Sequence, residues 1–70
     1  MKYFKVKSAE KVSSKQGNFL HKRTEVYLAK DPVAIYEDLS ARLGDRFIFI
    51  DAVEVDESKI KPSTNVLVVI

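Results

Sequence analysis

Cysteine is absent from this chain, histidine occurs once, and glycine and proline occur twice each. Without cysteine there is no disulfide framework and no thiolate metal site, which fits a reducing compartment. No apolar run approaches the roughly 18 residues of a membrane span. The first residues, Met1-Lys2-Tyr3-Phe4-Lys5-Val6-Lys7, alternate charge with apolar side chains and lack the hydrophobic core of a signal peptide. The expectation is a cytoplasmic protein with no membrane partner. A Gly-Lys-Ser phosphate loop and a Gly-x-Ser-x-Gly elbow are both missing. A nucleophile, base and oxyanion stabiliser are nowhere assembled, so the expectation is a non-enzyme without a cofactor. Internal repeats and low-complexity segments are absent too.

What is present suits one small folded domain spanning residues 1–70. Of its residues 46% are hydrophobic and 31% charged, which excludes wholesale disorder. Seventy residues form a small core, near the size at which a fold still stands without staples. The net charge of +2 hides an asymmetry. Residues 1–30 hold eight Lys or Arg against Glu10 and Glu25, a net of +6, whereas residues 31–70 are at −4. Charge segregated in this way suggests a basic side and an acidic side.

One helix is legible. In Asp31–Gly44, Asp31 is a capping residue, Pro32 fits the first turn and Gly44 suits the left-handed exit. Ile35, Leu39 and Leu43 recur every four residues with Tyr36 beside them, an apolar stripe. Strand patterns lie on either side. In Lys2–Val12 the even positions Phe4, Val6 and Val12 point inward, and Tyr3, Lys5, Lys7 and Lys11 point outward. In Phe19–Ala29 the even positions Leu20, Thr24, Val26 and Leu28 read as buried, leaving His21, Arg23, Glu25 and Tyr27 outside. The two strands form a long hairpin. A five-residue loop, Ser14 to Asn18, would set Glu10 opposite Lys22 and Lys7 opposite Glu25.

Beyond the helix, Phe47–Val55 starts apolar on both faces and then changes phase, so Asp51 marks a bulge or strong bend, or else Val53 and Val55 are covered by another part of the molecule. Residues 56–65 read as a loop with room for a short helical turn. Val66–Ile70 is a strand apolar on both faces, expected to be central or covered by a partner. The order is β-β-α-β-β, an α+β fold. Its expected form is a four-stranded, mainly antiparallel sheet with one helix packed on one face. The other face has no helix to cover it.

That uncovered face is the first candidate site. If Ile48 and Ile50 face the helix, Phe47 and Phe49 stand outward beside Tyr3 and Tyr27, ringed by Lys5, Lys7, Lys11, Arg23 and Arg46. Aromatics flanked by cations on an open sheet stack unpaired bases and neutralise phosphates. The competing readings are that a second subunit covers Phe47 and Phe49, or that the two faces are reversed. The hairpin tip is the second candidate, with Lys11, Lys15, Lys22 and Arg23 as phosphate contacts. Its plain alternative is a solvated edge whose lysines discourage aggregation. His21, among charged neighbours, reads as a solvated histidine. Asp51, Glu54, Asp56 and Glu57 lack the spacing of a calcium loop and read as an acidic edge.

The run Tyr3-Phe4-Lys5-Val6-Lys7, then Gly17, then Thr24-Glu25-Val26-Tyr27-Leu28-Ala29 before a helix, resembles small uncharacterised proteins of bacteriophages and mobile elements. The resemblance extends through Phe47 to Ile60 and implies a phage or bacterial origin, without an activity. Ser14-Lys15-Gln16-Gly17-Asn18-Phe19 is similar to a hairpin in the OB-fold single-strand DNA-binding proteins of phages. This chain departs from that pattern where a helix directly follows the second strand, since an OB barrel needs a third strand there. The expected partner is nucleic acid, preferentially single-stranded. The alternative is a host protein bound by a phage-encoded inhibitor or adaptor. A two-fold homodimer is expected as well, because Phe47, Phe49, Val53, Val55, Leu67 and Val69 exceed what one helix can cover.

Overall fold

The computed structural model describes all 70 residues. Two strands, β1 (Lys2–Ser14) and β2 (Gly17–Ala29), are followed by helix α1 (Pro32–Leu43) and a 3-10 turn, Gly44–Arg46. Strand β3 (Phe47–Val55), a second 3-10 turn (Glu57–Lys59) and strand β4 (Val66–Val68) complete the chain. The fold is α+β, as the order of patterns implies. Its sheet is mixed, in the order β3-β1-β2-β4, with β1 antiparallel to β2 and β3 and with β4 parallel to β2. Strands β2, β3 and β4 thus run in one direction and β1 against them. Helix α1 links β2 to β3 as a crossover that passes over β1.

The helix ends where its side chains dictate. Asp31 Oδ1 accepts from the Ala34 amide at 2.9 Å, and Pro32 follows in the first turn. Gly44 leaves the helix with φ +61° and donates its N–H to the Ser40 carbonyl. Ile35 and Leu39 are fully buried against Phe4, Val6, Tyr27 and Ala29, the centre of the core.

The hairpin departs from the expected register. The loop is two residues long, Lys15-Gln16, with Ser14 opposite Gly17. Ser14 Oγ accepts from the Gln16 amide at 3.2 Å and donates to the Gly17 carbonyl at 3.1 Å, and Gly17 takes φ +122°. A turn of this kind pairs even with odd positions. Glu10 therefore lies opposite His21 and Lys7 opposite Thr24. Slipping β2 by one residue turns every side chain to the other face. Tyr27 and Ala29 are fully buried beneath the helix, and Val26 and Leu28 lie on the far side.

The phase change in β3 is a bulge. Lys7 pairs with Asp51 and Ser8 with Phe49, which leaves Ile50 as the extra residue. The faces are the reverse of those expected. Phe47, Phe49, Ala52 and Glu54 oppose Glu10, Ser8, Val6 and Phe4 on the helix side, and Ile48, Val53 and Val55 lie on the other. Tyr36 of the helix packs against both rings at a steep tilt, with centroids 5.4 Å from Phe47 and 5.8 Å from Phe49. Strand β4 is a short edge, not a central strand. The connection 56–65 must travel from one edge of the sheet to the other. It does so across the face opposite the helix, where half-buried Ile60 stands beside Tyr3, Lys5, Val26, Val55 and Val66. That face is covered at its lower end and open above it.

Candidate functional site

Alternation along β1 puts Tyr3, Lys5, Lys7 and Lys11 on the face away from the helix. The two-residue turn adds Lys22, which lies opposite Ala9 in the gap between Lys7 and Lys11. Ala9 is small and only 2% exposed, sunk between its taller neighbours. Lys59 and Lys61, on either side of Ile60, line a hollow with Lys5 at the lower end. Lys15 sits in the turn at the upper end. These side chains form one stripe of lysines running most of the length of the sheet.

What distinguishes the stripe is the distribution of carboxylates. On the helix side Arg23 lies 3.7 Å from Glu10 and 3.8 Å from Glu25, and Arg46 lies 3.8 Å from Glu10. Arg42 bonds Asp38 at 3.0 Å and also donates to the Tyr27 hydroxyl. At the lower end Lys2 lies 3.5 Å from Glu54. Lys5, Lys7, Lys11, Lys15, Lys22, Lys59 and Lys61 take part in none of these ion pairs. Two carboxylates stand on their face: Asp51, across the ladder from Lys7, and Glu57 of the connection, which lines a hollow with Tyr3 and Lys61. Exposed lysines without partners keep their full charge for a ligand.

The expected site is therefore brought together in part. Lys5, Lys7, Lys11, Lys15 and Lys22 share one continuous stripe, and half-buried Tyr3 stands at its lower end. Arg23 and Arg46 belong to the opposite face and are paired with Glu10. Tyr27, Phe47 and Phe49 are not an open platform, because they lie under the helix. Lys59 and Lys61 were not anticipated. The alternation Lys59-Ile60-Lys61 was their signal, but it gains meaning only once the connection is known to cross this face.

Three further groups on the helix side have chemical interest. Burial raises the Tyr27 phenol above its ordinary value and the Glu25 charge adds to this, with Arg42 acting in the opposite direction. The Ser8 hydroxyl and Glu25 Oε1 are buried without a hydrogen-bond partner. In the connection, the amide and then the hydroxyl of Ser58 hold the exposed Asp56 carboxyl below its usual range. His21 is exposed on the hairpin. No helix is long and apolar enough to cross a membrane. No protein-family model, curated protein or solved structure matches the chain.

Proposed function

We propose that this chain is a non-enzymatic nucleic-acid-binding protein that grips the phosphate backbone with the lysine stripe. The segregation of charge supports it: the helix-side cations are neutralised in place, whereas the lysines of the other face and the hairpin are unpaired. Phosphate contacts of this kind release counterions and make binding steeply salt-dependent. With Tyr27, Phe47 and Phe49 under the helix, base stacking on an aromatic face no longer supports a preference for single strands.

Fluorescence anisotropy with labelled single-stranded and duplex DNA at two salt concentrations tests the reading. Lys7→Glu and Lys22→Glu should each weaken binding and lower the salt slope by about 1. Lys30→Glu, outside the stripe, should change affinity little. Absence of binding at low salt, or equal effects from all three substitutions, overturns the proposal.

A second reading, contact with a protein or a second copy, draws on β3, where Ile50 is 53% and Val53 51% exposed. Under it, sedimentation at several micromolar gives a mass that rises with concentration. A constant 8.0 kDa excludes a homodimer.

A further inference from the structure

The paired strands β1 and β2 outrun the rest of the sheet. The last contact with β3 is Glu10 against Phe47, and β4 reaches no further along β2 than Val26. From Lys11–Leu20 to Ser14–Gly17 the hairpin is therefore a two-stranded ribbon with both edges free. At roughly 3.3 Å per residue its four pairs project about 13 Å, and the turn adds to that. The molecule is accordingly elongated, 43 Å against 23 and 16 Å across.

The ribbon carries an unusual set of side chains. Between Glu10 and Glu25 there is no carboxylate, while Lys11, Lys15 and Lys22 supply positive charge. Phe19 is 53% and Leu20 51% exposed, with Val12 directly opposite Phe19. Gln16 and Asn18 are exposed at the tip. A lone hairpin is marginal in water, and apolar side chains on both of its faces add nothing to the core. Cations, amides and apolar groups together are what a reader of base edges requires.

Resting on the nucleic-acid-binding reading, we propose that this ribbon is an arm that enters the major groove of B-form duplex DNA. The major groove, about 12 Å wide and about 8.5 Å deep, admits a two-stranded ribbon, and the projection of the arm exceeds that depth. The minor groove, about 6 Å wide, is too narrow unless the duplex is opened. The major groove of A-form RNA is closed to side chains. Within the groove, Gln16 and Asn18 present the amides that pair with the adenine edge, and Leu20, on the face that Asn18 shares, presents apolar surface to the thymine methyl group. Lys11, Lys15 and Lys22 meet the phosphates of the rims, continuing the stripe from the body onto the arm.

Dimethyl sulfate footprinting of a short mixed-sequence duplex bound by the full chain tests the arm. The expected result is protection of guanine N7, in the major groove, with adenine N3 in the minor groove unchanged. Asn18→Ala and Leu20→Ser alter exposed side chains on one face and leave the core intact. They should abolish the N7 protection while salt-dependent binding through Lys5 and Lys7 persists. Binding without N7 protection, protection at adenine N3 instead, or burial of Phe19 between copies in a DNA-free oligomer overturns the arm and leaves the lysine stripe standing. Absence of DNA binding at low salt removes both.

Discussion

Ser8 sits at 1% exposure between β2 and β3, its hydroxyl without a partner. A buried hydroxyl left unbonded costs on the order of 1–3 kcal/mol. Ser8→Ala removes that group at nearly constant shape and should stabilise the protein by about 1 kcal/mol in urea unfolding; a loss of stability would show that the hydroxyl is bonded in solution. Tyr27 is the opposite case, a buried phenol whose hydroxyl accepts from Arg42. Tyr27→Phe should cost about 1–2 kcal/mol at neutral pH, since Arg42 retains only Asp38. The folded-state pKa of Tyr27 is raised, so the folded protein holds this proton more tightly than the unfolded chain does. Its contribution is complete below the unfolded value of about 10 and declines as pH rises through the folded one. The wild-type protein should therefore lose stability above about pH 10 more steeply than Tyr27→Phe, and a parallel decline would contradict the raised pKa.

At the level of elements, the hairpin turn decides the most. Gly17 holds φ +122° with open space around it, so an added Cβ meets backbone strain and no clash. Gly17→Ala should destabilise by about 1–2 kcal/mol, measurable in the same urea titration. The same turn sets the register, which brings Tyr27 under the helix and Val26 beneath the connection. On the helix, Leu39→Ala opens a cavity beside Phe4 and Val6 and should cost about 2–5 kcal/mol. The arm beyond Glu10 has strand partners on neither outer edge. Hydrogen exchange should find the amides of residues 11–20 far less protected than those of residues 4–8 in the free protein, because local stability follows burial and pairing. Equal protection would mean that the arm is supported by contacts with another chain.

Across the whole molecule, one face carries ion pairs and a helix, and the other carries lysines and an extended connection. Such a division produces a directed field that orients a polyanion before contact. The proposed binding of nucleic acid should accordingly be fast and strongly weakened by salt, and stopped-flow association rates at two ionic strengths measure this directly. An association rate insensitive to salt would remove the stripe from the encounter. The bulge at Ile50 bends the free edge of β3, a device that discourages edge-to-edge pairing between copies.

The helix, its caps and its apolar stripe were legible because they depend on neighbours within a turn or two: Asp31 with Ala34, Gly44 with Ser40, and Ile35 with Leu39. The inward positions Phe4 and Val6 of β1 and the irregularity near Asp51 were legible for the same reason, as local alternation and its interruption, whereas Val12, expected inward, lies on the arm beyond the core. Which face of β2 and β3 met the helix was not. Both strands are apolar enough on either side to be buried; a two-residue turn in place of a five-residue one reverses β2, and the pairing with β1 after the crossover fixes β3. Only the tertiary structure placed Tyr27, Phe47 and Phe49 in the core, where Tyr36 and Arg42 supply partners far away in sequence. The lysines of β1 were readable from their spacing. Their union with Lys22, Lys59 and Lys61, and their separation from Glu10 and Glu25, required the register and the path of the connection. Short-range chemistry is written in consecutive residues, whereas long-range contact is settled by which whole packing buries the most apolar surface with its polar groups paired.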